Sequence, residues 1–311
     1  MSFGKKAKTF LAAAALVGMA IGLSACGKTQ TAQTYTPKTL NVQFVPSRNA
    51  GKMEAKAKPL AKLLSKQLGI PVNVTVATDY NTIVEAMGSK KVDVGFLPPD
   101  AYVLAHKQYK SKVLLQALRY DYKGDTEELD NHLTDHYRSQ VIVRKDSGIN
   151  SIKDLKGKKI AVQDTTSTGG YVFPAVELLK HGININKDGI KTVQVKGHDQ
   201  GVLSVLNKNT DAAFVFQGAP RLVQKDDPQA LSDVKVIYTT KNIPNDTVTI
   251  RNDMSEKWQK KIAKALKDVA KTKQGHQIIS NLYTHEGYVD SKYSNFDVIR
   301  DYDKTAEQLN K

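Results

Sequence analysis

From Leu40 onward, short apolar runs alternate with longer stretches whose apolar residues recur every three or four positions. Leu40–Val45 (LNVQFV) has the look of a strand, and Lys52–Leu68 has the spacing of an amphipathic helix. The β-branched run Val72–Val76, helical spacing over Thr82–Met87 and the short apolar run Val92–Phe96 extend this to a βαβαβ rhythm. Such a rhythm predicts a largely parallel sheet with helices on both faces. The pattern restarts at Gln140–Arg144 (QVIVR). It runs on through SIKDLKGKKIAV, a helix around Pro174–Lys180, a strand over Ile190–Val195 and a helix over Gln200–Leu206. Strands over Asp211–Phe216 and Val234–Tyr238 complete the second set, and a β-branched run covers Thr247–Arg251. The chain then turns helical. Trp258, Ile262, Ala265, Leu266 and Val269 share one face of Ser255–Lys271, and helical segments follow near His276–Tyr283 and Phe296–Leu309. Two α/β units with a helical tail predict two lobes. Open α/β sheets take ligands beyond the carboxyl ends of their strands, so the cleft between the lobes is the expected site.

The first residues, MSFGKKAKTFLAAAALVGMAIGLSACGK, follow another pattern. Lys5, Lys6 and Lys8 form a cationic start, and Phe10–Leu23 is apolar but short for a membrane span. The chain's single cysteine, Cys26, follows Leu23-Ser24-Ala25. This tetrad resembles a bacterial lipobox, in which the cysteine is acylated and becomes the mature N-terminus. The next residues, GKTQTAQTYTPKT, are polar and aperiodic, as a flexible tether would be. The assignment is a signal peptide at 1–25 and a lipidated tether at 26–38. Lobe one is 39–138 with 248–311, and lobe two is 139–247. The protein is expected outside the cytoplasm, lipid-anchored to the outer face of the cell membrane and monomeric.

With 311 residues, 40% of them hydrophobic, the chain can bury a sizeable core. Its formal charge of +15 lies only partly in the leader. A basic protein suits nucleic acid, anionic lipid or an anionic solute. Zinc-finger spacing and RNP-like aromatic motifs are missing and the lysines are spread along the chain, so no nucleic-acid partner is expected. One cysteine excludes an internal disulfide framework.

The candidate chemistry gathers in Gln163–Tyr171, QDTTSTGGY, between the strand-like KKIAV and the helical VFPAVELLK. Hydroxyls and glycines at a strand-to-helix junction suit an anion cradle, because a helix start offers free N–H donors and glycine admits close approach. A simple N-cap would use the same residues. Pro174 complicates both readings, since it removes a helical hydrogen bond. Either the main helix starts near Pro174, or a first turn at 168–171 is kinked against it. Catalysis is disfavoured: the G-x-S-x-G elbow, the G-x-x-x-x-G-K-[ST] loop, the G-x-G-x-x-G fingerprint and H-E-x-x-H spacing are all missing. Glu127–His136, EELDNHLTDH, reads as a solvated loop or short helix rather than a metal site. No cofactor or metal is expected.

SIKDLKGKKIAV is typical of the second lobe of the type 2 periplasmic-binding fold. Five segments then resemble, in order and spacing, the PhnD-like phosphate, phosphite and phosphonate binding proteins of ABC importers. They are ATDYNTIVEAM (Ala77–Met87), KKVDVGFLPPDAY (Lys90–Tyr102), DTTSTGGY (Asp164–Tyr171), KGHD (Lys196–Asp199) and IPND (Ile243–Asp246). The resemblance implies an α/β fold of two lobes joined by two crossovers, with the ligand in the cleft, and an ABC permease as partner. It places the oxyanion at Thr166, Ser167, Thr168 and Gly169, with ligand contacts from Tyr80, Tyr137, His198 and Asp246. Asp93 is expected to order a loop instead. Two departures bear on the ligand. Gly169 replaces a family serine, and Gln217 stands near the second acid that aminophosphonate binders use to hold an ammonium group. An amide cannot neutralise an ammonium as a carboxylate does. The expected ligand is therefore phosphate, phosphite or a small phosphonate with an uncharged substituent. Another oxyanion such as sulfonate or sulfate, or a phosphoester-acting enzyme, is the alternative. Closure about hinges near Tyr137–Gln140 and Asp246–Thr249 would accompany binding.

Overall fold

The structure, a computed structural model, describes residues 34–310. The assigned signal peptide, Cys26 and residues 27–33 of the tether lie outside the described residues. In chain order the strands are β1 (Leu40–Phe44), β2 (Val72–Val76), β3 (Val94–Leu97), β4 (Lys112–Tyr122), β5 (Leu129–Thr134), β6 (His136–Tyr137) and β7 (Ser139–Arg144). They continue with β8 (Lys159–Val162), β9 (Lys191–Gln194), β10 (Ala212–Phe216), β11 (Val234–Thr239), β12 (Ile243–Pro244), β13 (Thr247–Ile250) and β14 (Gly287–Asp290). The helices are α1 (Ala50–Leu68), α2 (Tyr80–Gly88), α3 (Pro99–Tyr109), α4 (Phe173–Lys180), α5 (His198–Leu206), α6 (Ala230–Asp233), α7 (Glu256–Lys271), α8 (Lys273–Tyr283) and α9 (Asp297–Ala306).

Sheet one has the order β14-β4-β13-β3-β1-β2, with β5 paired to β4, and sheet two the order β11-β7-β10-β8-β9. A largely parallel sheet was expected, but both are mixed. In sheet one β1 is parallel to β2 and β3, and β13 is antiparallel to both β3 and β4. In sheet two β8 is parallel to β9 and β10, while β7 is antiparallel to β10 and β11. The reason is connectivity: a helical crossover returns a strand parallel, whereas β7 and β13 enter directly from the links between the sheets. Those links lie side by side, with β6 paired antiparallel to β12 through Tyr137–Ile243 and His136–Pro244. The sequence Glu127–His136 is also corrected, because it contains β5, hairpinned onto β4. Both faces of that strand meet solvent, with Leu129 and Leu133 exposed, so it carries no apolar alternation to read.

The core of sheet one, including Phe44, Leu60, Ile83, Phe96 and Ile262, is continuous with Phe173 and Val176 of α4. Sheet two is buried on both faces: Val141, Ile160 and Phe214 pack toward α4, and Ile142 and Val215 toward Val202 of α5. α9 touches both lobes. Phe296 meets Tyr102 of α3 edge-on at 5.0 Å, while Tyr302 stacks on Phe173 at 3.9 Å and donates to Glu177 at 2.7 Å. Beyond it, the Leu309 carbonyl accepts from Asn184 at 3.1 Å. Of the assigned tether, residues 34–38 are described. Tyr35 is docked there: its N–H donates to Asp253 O at 2.7 Å and its ring lies 3.7 Å under the Arg251 guanidinium. Asp93 orders its loop, accepting from Asn41 N–H at 2.8 Å and pairing with Arg251 at 3.1 Å. Among the described residues no helix is long and apolar enough to cross a membrane.

Candidate functional site

The carboxyl ends of β1, β2 and β3 face the start of α5 and the turn before α4 across a small cavity of about 30 Å³. Tyr80, Tyr137, Ser167, His198 and Asp246 line it, together with Arg48, Arg119, Ser47, Pro98, Phe216, Tyr283 and Val45. Five of the residues selected from the sequence are thus brought together. The other four are nearby but engaged elsewhere. Thr166 bonds through its N–H and hydroxyl to Asp164, at 3.1 and 2.9 Å. Thr168 is buried, and its hydroxyl accepts from Asp100 N–H at 3.0 Å. Gly169 lies against the Tyr137 ring, where a Cβ would come within 3.0 Å. Gln217 donates to the carbonyls of Gly124 and Thr126, at 3.0 and 2.7 Å, and lines a separate cavity beyond Arg119 and Tyr137.

The turn between β8 and α4 is a single π-helical turn, Thr168–Val172, and α4 begins at Phe173 with Pro174 in its first turn. Proline causes it. Pro174 has no N–H for the Gly169 or Gly170 carbonyl, and both find other donors: Ser139 Oγ serves Gly169, and Gln163 N–H serves Gly170 at 2.9 Å. Ser167 caps the turn, accepting from Gly170 N–H at 3.2 Å. Gly170 is required here, because a Cβ would fall 1.9 Å from Gln163 Cγ. The cradle and N-cap readings therefore coincide in one buried serine that both caps the turn and lines the cavity.

The cavity's charges come from residues that sequence reasoning did not select. Arg119, on β4, pairs with Asp246 at 2.5 Å and lies 5.1 Å from the Tyr137 ring and 5.6 Å from the Phe216 ring. Arg48 follows β1 and donates through Nη1 to Asn281 O at 3.0 Å. Burial and the nearby Arg119 cation lower the Arg48 pKa to about 10. Two guanidinium nitrogens, Arg48 Nη2 and Arg119 Nε, are buried with no hydrogen-bond partner among the described residues. Such a donor is costly to leave unsatisfied.

Burial tends to raise the Asp246 carboxyl pKa, but the Arg119 cation and hydrogen bonds from His285 and Arg119 bring it below the usual range. As an anion, Asp246 accepts at Oδ2 from His285 Nε2 at 3.3 Å, and His285 Nδ1 accepts from Tyr288 OH at 3.3 Å. His285 is driven down to about 4 by burial, against the pull of Asp246. His198 is driven to about 3 by burial and by Arg119, so it is neutral at physiological pH. Its Nδ1 accepts from Phe216 N–H at 3.3 Å, which puts its proton on Nε2 as a donor. Burial pushes the Tyr80 and Tyr137 phenols up, so both stay protonated and able to donate.

The two lobes meet around this cavity in a closed arrangement. His198 N–H donates to Ser47 O at 3.0 Å, Asn49 N–H to Asp199 at 3.2 Å and Asn81 to Asp164 at 3.4 Å. Gly197 makes room for this contact, since a Cβ there would lie 2.8 Å from Arg48 Cα.

Two mixed sheets closed over a small polar cavity define a two-lobed solute-binding protein. Residues 42–296 match the family described as "ABC transporter, phosphonate, periplasmic substrate-binding protein". The chain belongs to that family, whose members are extracytoplasmic binding components of transporters rather than enzymes. It is 31% identical over 217 residues to the phosphate-import protein PhnD of Mycolicibacterium smegmatis, covering 66% of this chain and 64% of that protein. The match therefore spans slightly under two thirds of that relative's length. It is 26% identical over 249 residues to the phosphonates-binding periplasmic protein of Escherichia coli, covering 79% of this chain and 70% of that one. PhnD1 from Prochlorococcus marinus, solved in complex with methylphosphonate, shares the fold at a TM-score of 0.75 and 20% identity, covering 88% and 99% of the two chains. A binding protein component of an ABC phosphonate transporter from Pseudomonas aeruginosa does so at 0.74 and 21%, covering 88% and 87%.

Proposed function

We propose that the protein captures a compact phosphorus oxyanion, a phosphonate, phosphite or phosphate, and delivers it to an ABC permease. The observation that carries this is the pair of buried, unpartnered guanidinium nitrogens on Arg48 and Arg119, which an anion in the cavity would satisfy. Ser167, Tyr80, Tyr137 and the Nε2–H of His198 supply neutral donors around the same space. Asp246 sets the protonation state of the ligand. Its Oδ2 is taken by Arg119 and His285, while Oδ1 has no partner among the described residues and suits a ligand hydroxyl. That favours a singly protonated phosphorus oxyanion over fully ionised sulfate. Asp246 is the one carboxylate lining the cavity among the described residues, so nothing there balances a ligand ammonium. This, rather than the position of Gln217, supports exclusion of aminoalkyl phosphonates.

Lobe two closes on lobe one about the paired β6 and β12 segments, and closed lobes are favoured by ligand. The protein works as a monomer, held at the outer face of the cell membrane by acylation of Cys26. Calorimetry with phosphite, phosphate, methylphosphonate, 2-aminoethylphosphonate and sulfate tests the ligand reading: tight binding of 2-aminoethylphosphonate or sulfate alone refutes it. The intact mass of membrane-extracted protein tests acylation, an unmodified mature chain refuting it.

A further inference from the structure

The end of sheet one opposite the cleft has a composition that the binding site does not use. β1, β2 and β3 are parallel, so their starts and the C-termini of α1, α2 and α3 all lie at that end. β4 starts there too, because it and β3 both run antiparallel to β13. Six exposed lysines therefore gather at this end: Lys38, Lys66, Lys90, Lys91, Lys110 and Lys112. The acids at this end are fewer and mostly engaged: Glu85 accepts from Tyr109 at 2.7 Å and Asp290 pairs with Lys267 at 2.8 Å. Asp93 and Asp253 are held by Arg251 at 3.1 and 2.6 Å, and only Lys90 of the six has a carboxylate within ion-pair distance among the described residues, Asp253 at 2.9 Å. Lys90 and Lys110 also adopt left-handed backbone, with φ of 61° and 58°, where glycine would be less strained. The cleft end is different. The hairpin from Asp121 to Asp135 carries six carboxylates and one lysine.

The tether joins at the lysine-rich end. Tyr35 forms an isolated bridge with Met254 and accepts from Ser255 N–H at 2.9 Å, which fixes the point where the chain enters the domain. Nine residue steps separate Tyr35 from Cys26. Fully extended they reach at most about 32 Å, and as a flexible coil they span about 17 Å. An acylated Cys26 would hold Tyr35, at the lysine-rich end, within that distance of the headgroups.

We propose that the lysine-rich end of sheet one docks on anionic phospholipid headgroups of the membrane that holds the tether, turning the cleft outward. This rests on the lipid-anchor reading of Cys26 given above. Lysines near an anionic surface each strengthen binding about five-fold, and the effect decays over a Debye length of about 8 Å at physiological salt.

The test uses the mature chain from residue 26 with Cys26→Ser, so that no acyl chain contributes. Sedimentation with phosphatidylcholine vesicles is compared with sedimentation on mixed phosphatidylcholine and phosphatidylglycerol vesicles. Binding is expected on the anionic vesicles alone and lost at high salt. Replacing Lys66, Lys91, Lys110 and Lys112 together by Glu is expected to weaken it by about several hundred-fold. A control variant with Lys153, Lys187, Lys191 and Lys208 of lobe two replaced by Glu has the same net charge and is expected to retain most of it. Equal losses in the two variants, or equal binding of the unsubstituted chain to both vesicles, overturn the proposal. A cooperative thermal unfolding transition in both variants shows that each is folded. The intact-mass measurement reports on acylation separately, so failure of docking and failure of anchoring are distinguishable.

Discussion

Replacing Asp246 by Asn tests the charge balance of the cavity directly. Arg48 and Arg119 bring two positive charges and Asp246 one negative, while burial keeps His198 and His285 neutral. A monoanion therefore closes the balance, and a dianion overshoots it. Two unit charges about 5 Å apart at an effective dielectric of about 20 interact by about 3 kcal/mol. A dianion meets one more unit of that repulsion from Asp246 than a monoanion does, so Asp246→Asn is expected to favour sulfate over a monoanion by about two orders of magnitude. A singly protonated phosphite also loses a charge-assisted acceptor worth about 1.5–3 kcal/mol, which lowers its affinity relative to sulfate by about a further 10- to 100-fold. The ratio of the two affinities should move by about three orders of magnitude, measured by calorimetry at constant ionic strength. Thermal unfolding without ligand checks that the Arg119 and His285 contacts survive in the amide. If the variant is folded and the ratio moves by less than about tenfold, the charge argument fails.

Three further outcomes follow from the same geometry. Gly170→Ala drives a methyl into Gln163 and should cost about 1–3 kcal/mol, with loss of ligand binding; an unchanged melting temperature refutes the tight π-turn. Asp100, on α3, has both carboxyl oxygens buried and unpartnered, and burial with the neighbouring Asp303 holds its pKa well above the usual range. Its raised pKa gives stability that is full at acid pH and lost as pH rises from the carboxylate range through the folded value, by up to about 1.4 kcal/mol per pH unit. Asp100→Asn should therefore gain melting temperature over the parent progressively as pH rises above the carboxylate range, and a gain independent of pH would count against a carboxyl kept protonated by burial. His198 and His285 have lowered pKa values, about 3 and about 4, so the unfolded chain binds more protons below its own histidine range near 6.5. Stability is present above that range and falls by up to about 2.7 kcal/mol per pH unit toward pH 4. His285→Gln should roughly halve that slope in denaturant titrations, and an unaltered slope refutes burial as a neutral imidazole.

What could be read from the sequence was whatever is written locally. Val72–Val76 and Val234–Thr239 are β-branched runs, and Glu256–Lys271 has a wide apolar stripe, so these elements were readable. α3 was not, because its PDAYVLAHKQY is buried on several sides and has little amphipathic contrast. β4 hides behind the polar mix of ALRYDY, and β14 is four residues long. Strand direction was misjudged where the neighbour, not the strand, decides it. Within the site, Tyr80, Ser167 and His198 stand at strand-to-helix turns, where both spacing and family likeness pointed. Arg48 and Arg119 had no such marker. An arginine's burial depends on distant partners, and for Arg119 these are Asp246, 127 positions on, and Phe216. The one local hint was an arginine between Leu118 and Tyr120 in an otherwise strand-like run.

The placement of α9 has a practical consequence. Its start is packed on Tyr102 of lobe one, and its far half is stacked and hydrogen-bonded to Phe173 and Glu177 of lobe two. Phe173 opens the helix that follows the π-turn, so this strut is one helix step from the wall of the cavity. A fluorophore attached along α9 would ride on the relative movement of the lobes while staying clear of the ligand. A label on Asp301, exposed on that helix, turns the molecule into an optical reporter of its own occupancy.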